Sequence, residues 1–124
     1  EKARPLERQR WAGGIDTVGD AMLARILAEA DYNATVAACG LAGGFKLPTT
    51  VMPFILRNVR LQGVDSVMCP VERRTQAWNR LQTDLPAAAL GEISQVISLD
   101  QVPEYAEKIV NGKVQGRTIV DLHK

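Results

Sequence analysis

Two short runs of small and acidic residues hold most of the chemistry this sequence could perform. Asp16-Thr17-Val18-Gly19-Asp20 follows one apolar stretch, and Cys39-Gly40-Leu41-Ala42-Gly43-Gly44 follows another. Glycine at the carboxyl end of a strand lets backbone approach a flat or phosphorylated ligand closely. In open α/β sheets that carboxyl edge is where ligands sit. An ordinary tight turn uses the same residues, and the 16–20 run also reads as a simple cap on the next helix. No G-x-G-x-x-G follows a strand, so the phosphate cradle of a dinucleotide fold is absent from these residues. The single histidine, His123, stands second from the end of the sequence. A Ser-His-Asp or Cys-His apparatus needs a base held rigidly beside its nucleophile, which a terminal position does not provide. A His-rich metal site is excluded on the same count. Cys39 and Cys69 are too few for a disulfide scaffold and lack zinc-ribbon spacing. Cys69 precedes Pro70, where a helix N-terminus could lower a thiol pKa, but no basic partner is apparent and an inert residue is the better reading. Arg73, Arg74 and Arg80 read as a solvated helix face.

The composition sets the frame for these runs. A chain of 124 residues with 46% hydrophobic residues can bury one core, and with 5% aromatics that core must be built from Ala, Val, Ile and Leu. Fifteen basic against fourteen acidic residues leave a net charge of +1, without the clustered excess of a nucleic-acid or membrane-surface binder. No stretch approaches the roughly 20 apolar residues of a membrane span. No signal sequence opens the chain, so a cytoplasmic α/β protein is expected.

The elements that would position the two runs alternate along the chain. Residues 1–10 are a charged lead-in or a frayed helix end. Trp11–Val18 reads as a buried strand, and Asp20 opens a helix that buries Ala21, Met22, Leu23, Ile26, Leu27 and Ala30 at helical spacing. Tyr32-Asn33 breaks that pattern. Thr35–Leu41 is apolar without alternation, as in strands covered on both faces. Thr49–Asn58 suggests a short helix interrupted by proline, and Val59–Val67 a third strand near a sheet edge. Pro70 suits the first position of a helix whose apolar face is Val71, Trp78, Leu81 and Leu85. After Pro86 come a small-residue link over Ala87–Leu90, a strand at Ile93–Leu99, and a helix from about Gln101 to Val110. Asp100 is the expected N-cap of that helix and Gly112 its C′ residue. Arg117–Leu122 closes as a strand. The order β-α-β-α-β-α followed by β-α-β favours parallel sheets with right-handed crossovers.

Four runs carry a resemblance. WAGGIDTVGD (11–20), VAACGLAGGFKLPTTVMPFILRNVRLQGVDSV (36–67), ERR-x-x-AW (72–78) and QGRTIVDL (115–122) closely resemble the C-terminal part of one subgroup of the medium-chain dehydrogenase/reductase superfamily. That subgroup comprises the zinc-independent, NADPH-dependent acryloyl-CoA reductases, also described as quinone oxidoreductases. The resemblance runs from Trp11 to Leu122 and is most specific over Gly40–Ser66. It implies an α/β chain in which residues 1–86 form the second half of a Rossmann domain, a doubly wound parallel sheet. Residues 87–124 would be the strand-helix-strand return into a GroES-like catalytic domain. The N-terminal half of the parent, with the glycine-rich phosphate turn and the reader of the 2′-phosphate, would be missing. Glu1 in place of an initiator Met fits a processed or cloned piece.

The resemblance also implies roles for residues. Family positions that line NADPH fall on Leu41, Ile55 and Ser66. A further cofactor contact, an asparagine in relatives, falls on Gly112, with Asn111 adjacent as a substitute; Arg117 is a weaker candidate for the same region. Apolar Leu41 and Ile55 would shape a slot for the nicotinamide ring, with backbone groups reading its carboxamide. None of these residues would exchange the reacting proton or hydride, so no catalytic residue and no metal ligand is expected here. The parent would reduce an activated C=C bond of a small-molecule enoyl thioester, or a quinone, and the piece alone would bind NADPH weakly and turn nothing over. Strand Val59–Val67 would pair with its two-fold mate in a homodimer, which removes an exposed edge. The alternative is a non-enzymatic α/β dimerisation module.

Overall fold

The computed structural model describes residues 4–123 and resolves into two compact units, residues 1–69 and 70–124. Of the lead-in, residues 1–3 lie outside the described part. In the first unit, strands β1 (Trp11–Asp16), β2 (Ala30–Ala38) and β3 (Arg60–Gly63) form a parallel sheet in that order. Helix α1 (Asp20–Glu29) links the first two strands and α2 (Met52–Arg57) the second and third. In the ladders Asp16 is paired with Ala38 and Thr35 with Arg60. The α/β class with parallel strands is therefore as expected.

The core lies against the central strand. Leu23 and Leu27 of α1 pack with Ala30, Ala34, Val36 and Val59, with Ile26, Ala38 and Phe54 closing over them. Close contact between α1 and the sheet requires a hollow in β1: a Cβ on Gly14 would stand 2.9 Å from Ile26 Cγ2. Asp20 begins α1 as expected, placing a carboxylate in the positive first turn.

The other end of α1 is closed by side chains from elsewhere. Arg57 Nη1 donates to the carbonyls of Ala28 (2.9 Å) and Ala30 (3.2 Å), and Nη2 to that of Glu7 (2.6 Å). The amides of Glu7 and Arg10 donate to the carbonyls of Ala28 and Glu29. The charged lead-in is thus an irregular segment bound to the helix terminus, where cations and donors are favoured.

Several boundaries differ from expectation. The second strand runs over Ala30–Ala38, not Thr35–Leu41, because the chain turns extended at Ala30 directly after the helix. Asn33, read as a helix end, is a left-handed residue (φ 64°) inside the strand, between the Trp11–Ala30 pair and the regular ladder. The third strand stops at Gly63, so Ser66 lies beyond it; there Asp65 Oδ1 accepts the Val67 and Met68 amides, both at 3.0 Å, and bends the chain.

The second unit carries α3 (Val71–Asp84), α4 (Ala87–Glu92), β4 (Ser94–Ser98), α5 (Val102–Val110) and β5 (Arg117–Asp121), with β4 parallel to β5. Pro70 precedes the first turn of α3 instead of occupying it, and no residue of that helix is buried. Ala87–Leu90 is helix, not a link, as an alanine-rich run after Pro86 allows. The 3-10 turn entering α5 is capped by Ser98 and Gln101, whose side chains and amides bond reciprocally, not by Asp100. Gly112 (φ 65°) is the expected C′ residue: its amide donates to Ile109 and that of Lys113 to Lys108, a Schellman closure. Along the chain the division between the compact units falls at Cys69–Pro70. Among the described residues no helix is long and apolar enough to cross a membrane.

Glu29 generates a pH prediction. It is buried at 7% exposure, with Oε2 accepting Trp11 Nε1 (3.0 Å) and Oε1 accepting Arg25 Nε (3.1 Å). The Trp11 bond foremost, opposed by burial and helped by Arg25, holds its carboxyl below the ordinary 4.5. A depressed carboxylate pKa contributes stability that is present above the unfolded value and lost as pH falls through the folded one. Denaturant midpoints measured below pH 4.5 should therefore fall more steeply for the native chain than for Glu29→Gln. Parallel curves would remove Glu29 from the acid transition.

Candidate functional site

The carboxyl ends of β1, β2 and β3 open onto three loops on one edge of the sheet, residues 17–19, 39–51 and 64–69. Two of these loops are locked together by backbone. Asp16 Oδ2 accepts the Gly19 amide at 2.8 Å and closes the first turn. The carbonyls of Asp16, Thr17 and Val18 then accept, in order, the amides of Cys39 (2.9 Å), Ala42 (3.4 Å) and Gly43 (2.7 Å). The Asp20 amide donates to the Lys46 carbonyl at 3.0 Å.

Glycine is required by this contact at particular positions. A Cβ on Gly19, whose φ is 73°, would lie 2.3 Å from the Gly44 carbonyl oxygen, and one on Gly40 2.4 Å from that of Thr17. The glycines of 39–44 therefore admit the opposite loop, and what they present outward is Leu41, 66% exposed. Asp16 does not cap α1 as a bland reading suggests: its side chain holds the amide of Gly19, and α1 has no side-chain cap. The sequence singles out the 16–20 run but not the bond by which Asp16, the last residue of β1, holds the Gly19 amide.

The positions singled out from sequence separate by unit. Leu41 follows β2 and Ser66 follows β3, at neighbouring strand ends. Ile55 lies on the crossover helix α2 and is 72% exposed. Asn111 and Gly112 belong to the other unit, at the end of α5. There Asn111 Nδ2 donates to the Glu107 carbonyl at 2.9 Å and Gly112 takes the left-handed conformation. Asparagine is the side chain that best tolerates that conformation after glycine, so exchange between the two at position 112 preserves the backbone. Arg117 begins β5 and its amide donates to the Ile93 carbonyl at 2.6 Å.

A cleft of about 500 Å³ lies elsewhere, on the outer edge of β1 against α1, lined by Trp11, Gly13, Gly14, Ile15, Met22 and Ile26 together with Arg10, Arg25 and Glu29. It is an unpaired strand edge with apolar cover, away from the strand-end loops. Among the described residues no group of three or more His, Cys, Asp or Glu converges as a metal site would require. Cys39 is exposed, and its thiol lies 3.4 Å from the Asp16 carbonyl.

No family model matches the chain. Individual proteins do. The probable acrylyl-CoA reductase AcuI of Escherichia coli K12 is 62% identical over 122 residues, 98% of this chain and 38% of that protein. Acrylyl-CoA reductase AcuI of Ruegeria pomeroyi is 50% identical over 120 residues, 97% of this chain and 36% of its own length. The crystal structure of Escherichia coli K-12 YhdH with bound NADPH superposes with a TM-score of 0.87 at 64% identity, over 96% of this chain and 37% of that one. Over nearly its whole length the chain is similar to these reductases.

The yhdH oxidoreductase of Salmonella enterica in complex with NADP gives a TM-score of 0.88 at 60% identity, covering 98% of this chain and 38% of that one. Protein yhfP of Bacillus subtilis, solved with NAD, is further off at 42% and 0.80, over 96% and 36%. The chain spans less than two-fifths of the length of the curated reductases it matches.

The loop contact generates a stability prediction. Gly19→Ala combines a left-handed backbone with a backbone clash and should cost about 2–4 kcal/mol in urea unfolding. Gly63→Ala, whose Cβ would meet nothing within 4 Å, should stay within about 1 kcal/mol of the native chain. Equal midpoints for the two variants would show that the loops do not touch in solution.

Proposed function

We propose that the polypeptide carrying this sequence is an NADPH-dependent, zinc-free reductase of activated C=C bonds in enoyl thioesters of the acryloyl-CoA type. The observation that carries this reading is the 62% identity, over nearly the whole chain, to a probable acrylyl-CoA reductase. Residues 1–86 are assigned to the second half of its Rossmann domain and 87–124 to the return into a GroES-like catalytic domain.

The strand-end face suits the nicotinamide side of the cofactor. Two large apolar side chains, Leu41 and Ile55, stand exposed there and at the crossover helix, and glycine-rich backbone near them leaves peptide groups within reach of a flat ring. When bound, NADPH supplies the hydride, delivered to the β-carbon while a proton reaches the α-carbon. In this proposal Leu41 and Ile55 hold the ring face, and Ser66 contributes to the same wall. Asn111 and Gly112 form a further contact. These residues orient and exclude water; none passes a proton or a hydride.

Two-fold pairing through the third strand belongs to the same proposal. Among the described residues β3 is paired only on its β2 side and all four of its residues are exposed, the kind of edge that pairing with a second copy covers.

The test is a coupled assay on the purified polypeptide, following NADPH absorbance and thioester product together. Acryloyl-CoA should be consumed one for one with NADPH. Rapid NADPH oxidation with a quinone and none with the enoyl thioester would overturn the substrate class. The 124-residue chain alone should show weak cofactor binding and no turnover.

A further inference from the structure

We propose that Asp16 is a positioning residue for the cofactor-facing loop: by closing the 16–19 turn it aligns the three carbonyls from which the 39–43 segment hangs, and so sets where Leu41 stands. The inference rests on the nicotinamide-side reading above. Among the described residues the backbone of Leu41 is held by one bond, its carbonyl accepting the Gly44 amide at 3.1 Å. Its position comes from its neighbours, with Cys39 bound on one side and Ala42 and Gly43 on the other to the consecutive carbonyls of residues 16, 17 and 18. The turn that carries those carbonyls is closed by the bond from the Gly19 amide to the Asp16 side chain.

The state of the carboxylate supports a role beyond packing. Asp16 is 1% exposed, and while Oδ2 is bonded, Oδ1 is buried with no hydrogen-bond partner among the described residues. Leaving a carboxylate oxygen buried and unpartnered is unfavourable, so stability alone does not account for this residue at the end of an apolar strand. A shorter acceptor at this position would leave no orphan oxygen. The glycines opposite complete the device, since a Cβ at position 40 would push directly on the Thr17 carbonyl oxygen, 2.4 Å away.

The experiment uses the 124-residue chain with residue-resolved amide exchange and an NMR titration with NADPH at millimolar concentration. Asp16→Ala should speed exchange of the Ala42 and Gly43 amides by about tenfold or more while the Val36 amide in the core keeps its native rate, which is local opening and not global unfolding. Asp16→Asn retains an acceptor for the Gly19 amide and should stay within about threefold of the native chain. Gly40→Ala, acting from the opposite loop, should reproduce the Asp16→Ala pattern even where that variant is too unstable to study. The NADPH-induced shift at the Leu41 amide should shrink in Asp16→Ala and return in Asp16→Asn. Unchanged exchange at Ala42 and Gly43 in both disrupted variants, or equal acceleration at Val36, overturns the proposal. So does an Asn variant that behaves like Ala. A native chain whose Leu41 amide ignores NADPH overturns the nicotinamide-side reading instead, and the exchange rates still decide whether Asp16 holds the loop.

Discussion

The first unit depends on one guanidinium. The last carbonyls of a helix have no partners within it, and in α1 they face the start of the central strand, where water is scarce. Arg57 places its donors there, on Ala28 and Ala30, while a third bond reaches back to Glu7. One planar fork thus binds the lead-in, the α1–β2 junction and the end of α2. Charge-assisted donors to carbonyls are stronger than neutral ones, and a single lysine ammonium does not present the same spread of donors. With the junction held, β2 can begin at Ala30 without a linker, and its carboxyl end arrives beside that of β1 in the register the loops require.

From that register the two strand-end loops follow. Parallel pairing of Asp16 with Ala38 brings both chains to the same level before they turn. Beyond it the backbone contact continues without a strand: three carbonyls on one loop, three amides on the other, and glycine wherever a side chain would intervene. Leu41, which the cofactor proposal uses, is left exposed outside this contact. The unit separates rigid backbone, which sets distances, from a few bare side chains, which set shape.

Much of this was legible in the residues, and the misses have physical causes. The periodicity of Leu23, Ile26 and Leu27 marks α1 because an amphipathic helix must bury one stripe. Gly112 marks the end of α5 because a left-handed residue must follow it. Tyr32-Asn33 misled because asparagine favours the left-handed region equally well inside an irregular strand as after a helix. Ala87–Leu90 misled because small residues mark both links and helices, and only the neighbouring Pro86 separates them. Arg57 escaped because it acts on backbone distant in sequence, and no spacing rule reaches a carbonyl 29 residues away; the local bond of Asp16 to the Gly19 amide looks, in sequence, like any turn. The roles given to Leu41, Ile55 and Ser66 came from resemblance; composition and periodicity mark them only as loop and helix residues.

The close approach of Gly14 to Ile26, and of Gly19 and Gly40 to opposing backbone, bears on how variation across related chains is to be interpreted. Columns 19 and 40 should tolerate nothing larger than hydrogen, and column 14 a Cβ only where Ile26 gives way, although no ligand need ever touch them. A survey that ranks positions by invariance alone would place these glycines at the head of a catalytic map. It would place Leu41, replaceable by any apolar side chain of similar bulk, well below them. For this fold, entropy per column measures the distance between two backbones more directly than it measures proximity to a reacting atom.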